Sequence, residues 1–131
     1  MQTFQLTIGE GRHRVDLLAN LTGRGINILV TGGESPHIGA VVLCIPREKD
    51  KGTGLGTDTW TMPVPGHKDF HVAQSLGELI STGTGQVTVV SAGIHMDNAE
   101  GWEIELVCSQ AERAAQMFLQ QYTDGVKTVE A

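Results

Sequence analysis

The chain has almost nothing with which to cross-link itself. Two cysteines occur in 131 residues, Cys44 and Cys108, each inside an apolar segment and without CxxC spacing. That excludes a disulfide scaffold and a paired-thiol metal site, and leaves two reduced, buried thiols as the expectation. Basic residues are also scarce. Nine Lys and Arg stand against fifteen Asp and Glu, a formal net charge of −6. They are scattered along the chain, which argues against nucleic acid or an anionic membrane as a partner. No apolar run approaches the ~20 residues of a membrane span, and the opening MQTFQLTIGEG lacks the basic segment and apolar core of a signal peptide. A soluble, cytoplasmic protein is expected. The serines lack a GxSxG elbow and neither cysteine has a base beside it in sequence, so no nucleophilic triad is in view and no catalytic residue is assigned.

What is present reads as one domain over residues 1–124 with a flexible tail at 125–131, large enough to bury a core unaided. Phe4, Leu6 and Ile8 alternate with polar neighbours, as do Val15 and Leu17, with Gly9 to Gly11 between them, the pattern of a hairpin. INILVTGG (26–33) and IGAVVLCIP (38–46) are more continuously apolar, as strands deeper in a sheet would be. Residues 47–59 read as a mobile surface loop, and TWTMPV (59–64) as a short strand held to an edge or an end by Pro63 and Pro65. From Asp69 the apolar positions Val72, Ala73, Leu76, Leu79 and Ile80 fall at helical spacing, with Gly83 as the stop. QVTVVSAG (86–93) returns to strand chemistry. After Asn98 a long helix is favoured, although WEIELVC also alternates and SQAE (109–112) matches a capping box, so a strand at 102–108 stays open. The expected architecture is α+β: a mostly antiparallel sheet with one strand-helix-strand unit and two helices packed on one face. The strands at 59–64 and 86–93 are candidate parallel neighbours. A sheet covered on one face leaves the other to be buried, which suggests a homodimer.

Three histidines share a setting. His37 lies in the connection GGESPHIG between two strands, where a simple hairpin would need only turn residues; His67 and His95 each follow a strand and precede a helix. Ligands collect at such carboxyl ends, and the N–H groups of a helix start favour anions. If the strand before His37 runs parallel to the other two, all three imidazoles share one sheet edge. Imidazole is the commonest metal ligand, so His37, His67 and His95, with Asp97, form a candidate site for a divalent metal ion. Asp69 and Asp97 could instead orient a ring or cap a helix. Lys68 adds a cation able to meet phosphate or carboxylate. Asn98 reads most simply as a helix cap, Gly32 and Gly33 as a turn able to approach a phosphate, and Trp60 and Met62 as core residues or one wall of a flavin-sized pocket. His13 reads as a polar strand position, His71 as a helix-face residue, and Glu103 and Glu105 as a solvated face.

The segments TGGESPHIGAVVL, TMPVPGHKD and VVSAGIHMDNA carry a resemblance. They look like the small D subunit of gallate (hydroxyarylic acid) decarboxylases, a family described as prenylated-flavin chaperones, and the likeness runs from FQLTIGEG to the final helix. The resemblance implies an accessory protein, not itself a catalyst, that binds prenylated FMN and supports a UbiD-type decarboxylase catalytic subunit. On that reading His37, His67 and His95 match the family's motif histidines, and Gly33, His37, Trp60, Met62, Lys68 and Asn98 are the candidate flavin-site residues; by its chemistry, a metal held by the histidines could bridge to the phosphate. A reading from another class is a small metalloenzyme in which three histidines hold zinc or iron and Asp97 acts as base.

Overall fold

The structure is a computed structural model that describes residues 1–130, for Lys51 and residues 126–130 at the level of the backbone alone. Six strands and two helices follow in the order β1 (Gln2–Ile8), β2 (Val15–Leu21), β3 (Ile26–Gly33), β4 (Ala40–Glu48), β5 (Leu55–Pro63), α1 (Phe70–Thr84), β6 (Thr88–His95) and α2 (Gly101–Glu130). They form one sheet in the order β1-β2-β3-β6-β4-β5. Only the β3–β6 pair is parallel; the other four are antiparallel. This is the α+β, mostly antiparallel architecture expected from the sequence.

Alternation on the strands decides which face is buried. Val15, Leu17 and Ala19 on β2, Ile28 and Val30 on β3, Val42 and Cys44 on β4, and Val90 on β6 are fully buried. Against them lie both helices, α1 over β4, β5 and β6 and α2 over β1 and β2. Helical spacing supplies the facing layer: Ala73, Leu76 and Ile80 from α1, and Val107, Ala111, Ala114, Ala115 and Phe118 from α2. Phe118 meets Phe4 edge to face with centroids 5.4 Å apart. Small residues bring the layers close. A side chain on Gly77 would stand 2.7 Å from Cys44 Sγ, and one on Gly83 would stand 2.9 Å from Leu119.

Several expectations need correction. The strands at 59–64 and 86–93 point the same way but are not neighbours, because β4 lies between them. The loop expected at 47–59 is mostly strand: β4 continues to Glu48 and β5 begins at Leu55. Threonines 57 and 59, joined hydroxyl to hydroxyl at 3.0 Å, and the Arg47–Asp58 pair at 2.9 Å carry the hairpin outward, and threonine suits a pleated surface. Helix α1 stops at Gly85, in the left-handed conformation (φ 71°), two residues beyond Gly83. The 102–108 segment is helical, within α2. Cys44 is buried as expected, but Cys108 is exposed on α2. Trp60 and Met62 are not core: they are 56% and 74% exposed, on the uncovered sheet face opposite Leu43 and Val41. The expected tail falls mainly on residues without described side chains; α2 runs through Glu130, and residue 131 lies outside the described residues. Among the described residues no helix is long and apolar enough to cross a membrane.

Candidate functional site

Because β6 is inserted between β3 and β4, the chain leaving β3 must pass over the end of β6 before it can start β4. That detour is why residues 34–39 are not a simple hairpin. The passage is hydrogen-bonded to the strand beneath: Glu34 N–H donates to His95 O at 2.7 Å, His37 N–H to Gly93 O at 3.4 Å, and Gly39 N–H to Ala92 O at 2.8 Å. The approach is so close that side chains are excluded. A Cβ on Gly93 would overlap the His37 carbonyl, and one on Gly33, already at φ 76°, would overlap the His95 carbonyl.

Strands β3, β5 and β6 run in one direction, so His37, His67 and His95 do share the carboxyl edge. The His37 ring lies 4.5 Å from that of His67 and 6.4 Å from that of His95, centroid to centroid. His37 Nδ1 lies 2.9 Å from the Ser35 carbonyl oxygen, which fixes an Nδ1–H donor and turns Nε2 toward Asp69 Oδ2, also at 2.9 Å. Asp69 is buried. Its other oxygen accepts the Ile94 N–H at 2.9 Å, and Gly39 leaves the space its carboxylate occupies. His67 Nδ1 stands 4.0 Å from Asp69 Oδ2. His37, His67 and Asp69 thus present three ligand atoms within 4.8 Å of one another. His95 is held apart, its Nε2 2.9 Å from Oδ1 of the exposed Asp97.

Asp69 precedes α1 but makes no side-chain cap hydrogen bond, so its carboxylate serves the histidine and no side chain of its own covers the first N–H groups of the helix. Asn98 does not cap α2. It adopts the left-handed conformation (φ 51°) in a turn, and the helix starts at Gly101, a conformation asparagine tolerates. The capping role passes to Glu103, whose Oε1 accepts the Glu100 N–H at 3.1 Å.

Glu103 is also the residue that periodicity misplaces most. It is buried, not solvated. Arg12 Nε donates to its Oε2 at 2.8 Å, Arg12 Nη2 to its Oε1 at 3.1 Å, and His13 Nε2 lies 2.6 Å from Oε2. The His13 contact, then the Glu100 N–H and Arg12, hold its carboxyl down at about 2. Arg12 reaches on to Glu34 Oε1 at 3.0 Å and the Asp97 carbonyl at 3.1 Å. His13 lies in a short 3-10 turn, Gly11–His13, not in a strand. This network ties the start of α2 to the loop carrying His37 and to the turn that follows His95.

Between α1 and α2 the edge opens into a surface cleft of about 290 Å³, lined by the polar side chains of His67, Lys68, Asp69 and His95 and by the apolar ones of Val72, Ile94, Ile104 and Val107. Val72 and Cys108 also line a second groove of about 410 Å³ that continues between the helices past His71 and Leu76. Trp60, Met62, Gly33 and Asn98 line neither.

A family model described as a prenylated flavin chaperone LpdD-like domain matches residues 9–123. The chain belongs to this family. Among curated proteins no relative matches it. The matched region of the flavin chaperone domain spans the Arg12 network, all three edge histidines and both clefts.

Proposed function

We propose that the chain carries prenylated FMN in the cleft between α1 and α2 and delivers it to a UbiD-type aromatic acid decarboxylase, without itself catalysing the decarboxylation. The observation that carries this reading is the cleft's mixed polar and apolar lining. Its polar part offers Lys68 and the uncapped start of α1, which suit a phosphate. Its apolar part runs into the inter-helix groove, which suits a ring system bearing an added prenyl group. Together the two spaces fall in the range of about 300–1,000 Å³ typical of small-molecule sites. Both are open at the surface, as a carrier that must release its cargo requires.

The uncovered sheet face fits a second copy of the chain. Two rows cross it, Leu18, Leu29, Ser91, Val41 and Met62 in one and Val89, Leu43 and Trp60 in the other, apolar but for Ser91. Dimerisation there would leave both clefts free, since the helices occupy the opposite face.

The test is anaerobic titration with reduced prenylated FMN, followed by transfer to a metal-loaded apo-decarboxylase. The wild-type chain is expected to bind and to speed recovery of decarboxylase activity. Lys68→Ala is expected to bind about tenfold more weakly, one lost charge-assisted contact at an exposed site, with an unchanged melting temperature. Equal binding by the two proteins, or none by either, would overturn the reading.

A further inference from the structure

We propose that His37, His67 and Asp69 form a binding site for one divalent transition-metal ion whose remaining coordination positions face the cleft. The ligand set differs from the one that spacing suggests: Asp69 takes the place of Asp97, and His95 stands outside.

Several observations meet at this site. The three ligand atoms lie within 4.8 Å of one another. His37 Nε2 and Asp69 Oδ2 stand 2.9 Å apart as a hydrogen-bonded pair, and an ion between them would take the place of that bond. His37 has the arrangement of a metal-binding imidazole, with Nδ1–H held by a backbone carbonyl and Nε2 turned inward. The buried Asp69 is likewise held, by the Ile94 N–H on its far oxygen. Glycine at 39 keeps open the space for that carboxylate and for His37 Nε2. His37 faces an oxygen acceptor on both ring nitrogens, and a cation at Nε2 satisfies that side.

Two imidazoles and one carboxylate select a borderline ion such as Zn²⁺, Co²⁺, Fe²⁺ or Mn²⁺ over Mg²⁺ or Ca²⁺, which prefer all-oxygen sites. Three protein ligands leave open positions, as at sites that take up an exogenous group. His67 and Asp69 both line the cleft, so those positions are available to an anionic oxygen. Resting on the carrier reading, that oxygen belongs to the phosphate of the flavin.

The experiment uses Co²⁺ as probe, because its visible spectrum reports coordination. Chelator-treated full-length protein is titrated anaerobically with Co²⁺, beside His67→Ala, Asp69→Asn and His95→Ala, with melting curves for each. Asn at 69 keeps the acceptor for the Ile94 N–H, and His67 is half-exposed, so both variants are expected to fold. One Co²⁺ per chain is expected in the wild type and in His95→Ala, with affinity at least 100-fold weaker in His67→Ala and Asp69→Asn. Inorganic phosphate is then expected to shift the spectrum of the Co²⁺-loaded protein. Absence of stoichiometric Co²⁺, or binding equal in the folded His67→Ala and Asp69→Asn variants, overturns the site. Binding without a phosphate-dependent shift overturns its exposure to anions. Neither readout uses the flavin, so failure of the carrier reading is seen separately, as Co²⁺ binding without flavin binding.

Discussion

Arg12 and Glu103, 91 positions apart, meet through two hydrogen bonds of 2.8 and 3.1 Å at the start of α2. The pair holds the first turn of the helix against the turn that follows β1. From there the same guanidinium reaches Glu34, whose Oε1 also accepts the Asp97 N–H at 2.9 Å. The loop that carries His37 and the turn that follows His95 are therefore joined by one charged cluster beside the cleft.

That cluster makes an acid-sensitive contribution. Glu103 has its carboxyl lowered from 4.5 to about 2 in the folded chain. The folded state thus favours the ionised form, and its contribution is fully present above about pH 4.5 and lost as pH falls toward 2. Glu103→Gln is expected to lower the melting temperature at pH 7 and to flatten its decline between pH 4.5 and 2. Parallel melting curves for the two proteins across that window would refute the assignment.

Gly39 and Gly93 should tolerate no side chain. At Gly39 a methyl group would overlap Asp69 Oδ2; at Gly93 it would overlap the His37 carbonyl. Overpacking of this kind costs about 1–3 kcal/mol. Gly93→Ala, which strikes backbone, is expected at the upper end, and Gly39→Ala is expected to abolish Co²⁺ binding at a smaller cost in stability. Urea unfolding gives the first quantity and the cobalt titration the second.

The uncovered sheet face gives a third expectation. Trp60→Glu places a charge opposite Leu43 in the apolar row, where a second copy would have to desolvate it. Light scattering is expected to show a dimer in the wild type and a monomer in the variant, with flavin affinity unchanged. A variant that stays dimeric places the interface elsewhere.

Most of the architecture is legible in the sequence, because alternation and helical spacing are local signals. Leu17, Leu76 and Phe118 are buried on the faces their periods predict. Strand order is not local. Nothing in QVTVVSAG announces that it slips between two earlier strands, and that insertion is what makes GGESPHIG a bridge. The site divides along the same line. The shared edge of three histidines follows from strand direction, but the partnership of His37 with Asp69, 32 residues on, needs the third dimension. Glu103 reads as solvated because a lone acid on a helix usually is. Only the distant Arg12 and His13 reverse that.

The insertion of β6 also bears on how the molecule comes into being. Strands β1 to β3 and strands β4 and β5 can each pair as they are made, but they meet only through β6, which is synthesised after all of them. Without residues 88–95 the sheet divides into two ribbons, β1-β2-β3 and β4-β5, and the bridge carrying His37 has no Gly93 beneath it. Folding therefore waits on contacts distant in sequence, which are slow to form. The His37–Asp69 edge is therefore complete only once β6 has joined the two ribbons.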